Sequence, residues 1–173
     1  MRTTTRPPVL AAASVVAALT LLTSCSDEGG TTDGRGDDSA CRIGESGTEV
    51  TASPAPAAGD TGTVTVTLTN RGSECVLDGF PAVTLTADAT SGKLDPDDGA
   101  SAQRLTLAEG GAASFTLTYV RGEDDGDGLD VRAARFALPG GSATHEIPWS
   151  YGAVATESEA PEATVSAFQQ VGD

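Results

Sequence analysis

The sequence predicts an all-β domain of packed antiparallel sheets, and three observations lead there. From Thr48 onward apolar residues recur at every second position, the period of a strand with one buried face. Turn formers are abundant, with 21 Gly and 9 Pro in 173 residues. No segment after the first apolar run places apolar residues at helical spacing over the ten or so residues that a helix needs. A hydrophobic fraction of 38% and an aromatic fraction of 4% fit a small β-rich core.

The elements follow in order. Thr48 to Ala52 alternates and opens the domain as a first strand. In "TGTVTVTLTNRGSECVL", Val64, Val66 and Leu68 share one face and Thr63, Thr65, Thr67 and Thr69 the other; the chain turns at Asn70-Arg71-Gly72 and resumes with Cys75 and Leu77. This reads as a half-buried hairpin. Gly79 and Pro81 bracket a corner, after which Val83 and Leu85 alternate with Thr84 and Thr86. Leu105 and Leu107, the turn Glu109-Gly110-Gly111, and then Phe115, Leu117 and Tyr119 read as a second hairpin. Two more strands surround Pro139-Gly140-Gly141, with Ile147, Trp149 and Tyr151 inward. The total is about eight strands. Turns at intervals of about 8 to 12 residues favour a single immunoglobulin-like antiparallel β-sandwich over residues 41–154, although a barrel has the same periodicity. Residues 155–173 read as a polar tail, with "TVSAF" at 164–168 as an edge strand or a docked apolar end.

The front of the chain carries an address. Arg2 and Arg6 precede an apolar run from Val9 to Leu22, which has the form of a secretory leader and falls short of the roughly 20 residues that span a bilayer. "LTSC", Leu22 to Cys25, resembles the bacterial lipobox. The resemblance implies cleavage of residues 1–24 as a lipoprotein signal peptide, diacylglyceryl transfer to the Cys25 sulfur and often acylation of the new amino terminus. Two or more acyl chains, at about 0.8 kcal/mol per buried methylene, make a stable anchor. The expected location is the extracellular face of the cytoplasmic membrane.

Residues 25–40 contain the lipidated cysteine and "SDEGGTTDGRGDDSA", an acidic Gly-rich stretch without a large apolar residue. Such a composition predicts a disordered tether with a root-mean-square reach on the order of 20 Å. The whole chain has 10 basic and 25 acidic residues, a formal charge of −15; removing Arg2 and Arg6 leaves 8 basic against 25 acidic, or −17. Clustered Lys and Arg are what phosphate backbones attract, so nucleic acid is excluded as a partner. With Cys25 acylated, the remaining cysteines are even in number, and export permits a disulfide between Cys41 and Cys75. A structural zinc needs four ligands, more than two cysteines and the single histidine, His145, supply.

Candidate chemistry is sparse. His145 and Glu146 are strand neighbours, so their side chains point to opposite faces, and no GxSxG or SxxK motif is present. The expectation is a non-enzymatic binding or structural module of the cell envelope, without a cofactor and with an envelope or protein partner. The alternative is a calcium-binding module. "LDPDDG" at 94–99 and "EDDGDGLD" at 123–130 are acidic loops, and Asp124, Asp125, Asp127 and Asp130 would supply oxygen ligands, although neither loop has the EF-hand register.

Cys41, "VTVTLTNRGSECVLDGFPAVTL", "LTLAEGGAASFTLTY", a Pro-Gly-Gly turn and a final "HEIPW" together resemble an actinobacterial family of exported, often lipid-anchored proteins known as a domain of unknown function. The resemblance covers nearly all of the mature domain. It implies an immunoglobulin-like β-sandwich, a bridge between Cys41 and the cysteine of the N-x-G-x-x-C segment, Cys75, and a G-[YF]-P corner at Gly79, Phe80 and Pro81. Members commonly carry a second cysteine pair, which this sequence lacks. The resemblance brings no catalytic or binding residue with it.

Overall fold

The computed structural model describes residues 41–44, 47–123, 126 and 128–172. The expected leader, Cys25 and the tether lie outside the described residues. The strands are β1 (Thr48–Ser53), β2 (Thr61–Thr69), β3 (Cys75–Asp78), β4 (Ala82–Thr86), β5 (Ser91–Lys93), β6 (Asp95–Pro96), β7 (Arg104–Leu107), β8 (Ala112–Val120), β9 (Ala133–Ala137), β10 (Thr144–Pro148), β11 (Thr156–Glu157), β12 (Ala160–Pro161), β13 (Ala163–Val165) and β14 (Gln169–Val171). The fold is an all-β sandwich. The eight strands of four or more residues are the eight segments that alternation picks out, and the other six have two or three residues each.

One sheet runs β1-β2-β8-β13-β6, with β14 also paired to β8, and a second runs β10-β9-β4-β5. Their inner faces meet in one core that includes Val64, Val66, Leu68, Phe115 and Leu117 from the first sheet and Val83, Leu85, Phe136 and Ile147 from the second. Phe115 is its centre: its ring meets Phe136 edge-on at 5.3 Å and Phe168 at 5.6 Å. The threonines opposite these residues remain half-buried on the outer face, where Thr65 and Thr116 join hydroxyls across β2 and β8 at 3.0 Å.

The two expected hairpins around Asn70 and Gly110 are not hairpins. β2 pairs with β1 and β8, whereas β3 pairs with β7. The β2–β3 and β7–β8 segments instead form one long antiparallel ribbon, bent where residues 70–74 lie beside 108–111. Alternation marks a strand and its buried face but says nothing of its partner, which here is set by what lies across the bend. Asn70 pins the bend. Its backbone donates to Gly111 O and accepts from Gly110 N, while Nδ2 reaches Ser73 O, Leu107 O and Ala108 O at 2.9, 3.0 and 3.1 Å, and Oδ1 accepts from Gly72 N. Asn70 is itself buried, 1% exposed. Asn70→Asp would turn a carboxylate toward three carbonyl oxygens and is expected to cost about 3 kcal/mol or more at neutral pH. The buried carboxyl would titrate above the ordinary Asp value near 4. The penalty therefore grows as pH rises through the unfolded value and is relieved as pH falls, which urea titrations at pH 4 and 7 would reveal.

Tyr119 closes one end of the core. Its hydroxyl accepts from Ala55 N at 3.2 Å and donates to Tyr151 O at 2.8 Å, and its ring meets Trp149 edge-on at 5.1 Å. Gly62 lies opposite it on β2, and a Cβ there would come within 2.5 Å of the ring, so the residue that faces Tyr119 must be glycine. Tyr119→Phe keeps the ring and removes the hydroxyl that the buried Ala55 N–H and the part-buried Tyr151 carbonyl bond to. A loss of about 1 to 3 kcal/mol in chemical denaturation is expected.

Near the C-terminal end β13 and β14 extend the first sheet, while β11 and β12 pair with each other. Val165 faces Leu117 but Gln169 faces Ser114, so Ser166, Ala167 and Phe168 oppose only Thr116 and Phe115. This is a β-bulge. Ser166 repairs the ladder there, its N–H donating to Thr116 O and its Oγ accepting from Thr116 N, both at 2.9 Å. The extra residue turns Phe168 into the core, where it is 2% exposed.

The two lateral sides of the sandwich differ. At one, β5 ends the second sheet and β6 ends the first, and the single residue between them, Leu94, is buried as the chain crosses. β6 thereby arrives parallel to β13, an exception to the antiparallel pattern. At the other side β1 and β10 are the outer strands of the two sheets, and no strand covers them among the described residues.

Candidate functional site

Cys41 and Cys75 are bonded, with Cα atoms 4.9 Å apart, and both are buried. The bond ties the first residue of the domain to β3. Cys25, Asp124, Asp125 and Asp127 lie outside the described residues. Asp130, the one of the four expected calcium ligands that the structure describes, is exposed and meets Arg132 at 2.8 Å. Arg132 also reaches Asp88 at 3.3 Å, and this hydrogen bond, followed by the charges of Asp130 and Asp88, holds its guanidinium above its ordinary pKa. In the 94–99 loop, Leu94 is core, and Asp97 donates its N–H to Val165 O. Among the described residues no three His, Cys, Asp or Glu side chains converge on a metal position. The four carboxylates Asp95, Asp98, Glu157 and Glu162 instead border an open cleft of about 560 Å³.

The open side between β1 and β10 gathers the remaining groups. A cavity of about 380 Å³ is bounded by Thr48 and Val50 of β1 and by the length of β10, Thr144 to Pro148. A second, of about 310 Å³, lies against Cys41, Arg42, Ile43, Leu138 and the 141–143 turn. His145 borders both. It is paired in register with Phe136, so it faces inward, and its ring stacks on Phe136 at 4.9 Å and 19°. Glu146 faces out and binds Arg135 Nε at 2.7 Å, a pair more than half exposed and worth at most about 1 kcal/mol. The histidine and its neighbouring carboxylate are thus on opposite faces, as strand geometry requires.

This side was not visible in the sequence as a site, because its walls come from residues 41–43, 48–50 and 138–148, which only the two-sheet packing brings together. The Pro-Gly-Gly turn was the one nearby signal. The groove offers an apolar floor, an imidazole, a guanidinium and the free backbone of two outer strands, which is equipment for binding.

No curated protein and no solved structure matches the chain. A family model matches residues 41–169, from the disulfide-bonded Cys41 to the first residue of β14. The matched span includes both sheets, the bent ribbon and the bulge, and on it the chain belongs to the DUF4232 family, a domain of unknown function.

Proposed function

We propose that this is an actinobacterial lipoprotein, anchored through Cys25 to the extracellular face of the cytoplasmic membrane, whose immunoglobulin-like sandwich binds a component of the cell envelope without catalysing a reaction. The observation that carries the reading is the asymmetry of the sandwich. On one side the chain crosses between the sheets at Leu94, beside a cleft bordered by four carboxylates, while on the other β1 and β10 flank a groove that no strand covers among the described residues. The leader, the lipobox-like "LTSC" and the acidic stretch before Cys41 support the anchor. His145 supports a binding role, since its ring is engaged by Phe136 rather than by a carboxylate.

Two measurements test it. Intact-mass analysis of protein extracted in detergent from its host should give the chain from Cys25 onward plus lipid. A mass without lipid would sink the anchor. For the groove, a photo-crosslinking residue at Thr144 should capture an envelope component in living cells several-fold more efficiently than one at Asp95, which borders the acidic cleft on the opposite side. Equal capture at both positions would remove the open side as the binding surface.

A further inference from the structure

We infer that the cavity beside the disulfide is a site for a small monocarboxylate with an apolar body, such as an aromatic or short branched-chain acid. The inference deepens the reading of the open side as a binding surface and rests on it. The floor is apolar and fixed: Cys41, Ile43 and Leu138 are each 5% exposed or less, and Cys41 is held by its bond to Cys75. The volume, about 310 Å³, is at the small end of ligand cavities and suits one ring or a chain of a few carbons.

Charge decides the class of ligand. The chain carries a formal charge of −15, and carboxylates border the two further cavities described above, Glu146 in one and Asp95, Asp98, Glu157 and Glu162 in the other. Among the described residues no carboxylate lines this one. Its polar rim is Arg42, Ser142 and His145. Arg104, Arg132 and Arg135 are matched by Asp78, by Asp88 and Asp130, and by Glu146. Arg42 has no such partner among the described residues, so its guanidinium is available for the two-point contact that it makes with a carboxylate. His145, its ring held against Phe136, can add a single N–H. One guanidinium over an apolar floor fits a monoanion. A phosphate would bring more charge and more polar oxygens than this rim can meet.

The test is an amide-resolved NMR titration of the full chain with benzoate, benzyl alcohol and benzylamine, three probes of nearly equal shape and different charge. Benzoate is expected to shift the amides of Ile43, Ser142, Ala143 and His145 saturably in the millimolar range, with benzyl alcohol at least fivefold weaker and benzylamine weaker again. Arg42→Gln, at an exposed position that the fold does not depend on, should abolish the advantage of benzoate over benzyl alcohol. Unmoved amides, equal binding of the three probes, or an advantage that survives Arg42→Gln would each overturn the assignment. The titration needs neither membrane nor partner, so its failure leaves the anchor and the Thr144 capture standing, and failure of those leaves a positive titration intact.

Discussion

Replacing Cys41 and Cys75 together with alanine is expected to lower the unfolding free energy by about 3 to 4 kcal/mol, which for a domain of this size is a fall in Tm of roughly 10 to 15 °C. The bond closes a loop with a sequence separation of 34, and without it the unfolded chain regains the entropy of that loop. Reduction of the wild type should produce the same shift as the double variant, because both remove the same constraint. Calorimetry with and without reductant checks this, and a drop below about 3 °C would show that native packing alone holds residue 41 in place. The effect is large because net stabilities are only about 5 to 15 kcal/mol. Among the described residues this is the one disulfide, so it is the one such constraint to lose.

Phe115→Ala is expected to cost about 3 to 5 kcal/mol in urea denaturation. Phe115 is 1% exposed and its ring touches one aromatic from the facing sheet, Phe136, and one from the C-terminal segment, Phe168. The deletion would therefore leave a cavity bounded by three pieces of chain that are far apart in sequence and cannot collapse onto it cheaply. Phe168→Ala removes the outer member of the same trio, and the double variant should be less destabilised than the sum of the singles, since each deletion already forfeits the shared ring contact. Strict additivity would mean that Phe168 packs independently of Phe115.

Period-two alternation was a reliable guide to strands and faces: the residues assigned inward on β2 and β8 are buried, as are Ile147 on β10 and Trp149 just past it, while Tyr151, also assigned inward, is partly buried. It was silent on pairing. Whether β2 meets β3 or β8 depends on what lies across the bend, and the deciding contacts are three hydrogen bonds from one side-chain nitrogen of Asn70, which reads locally as an ordinary turn residue. The cysteine pair was legible from parity and compartment. β5 and β6 were not, because Gly92 and Pro96 look like loop residues and the one informative position, Leu94, is a single apolar residue with no period around it. Residues 155–173 read as a polar tail with an edge strand or docked apolar end at 164–168; in the structure β13 covers 163–165, and Phe168 is core, which it reaches only because the bulge shifts its register. The groove was illegible for a related reason. Its chemistry is spread over three segments, and the alternation of each one reports burial rather than proximity.

The position of the disulfide also sets how the domain bears load. A pull on the chain upstream of Cys41 is passed through the sulfur–sulfur bond to Cys75 and enters the fold at β3, so that residues 42–74 lie within the closed covalent loop and outside the line of force. β1 and β2, which would otherwise be peeled from the edge of the sheet one hydrogen-bonded pair at a time, carry none of that tension. A domain held by its amino terminus against a moving surface would keep the β1 wall of its groove in shape while under strain, and reduction of one bond would turn that wall into the first part to unzip.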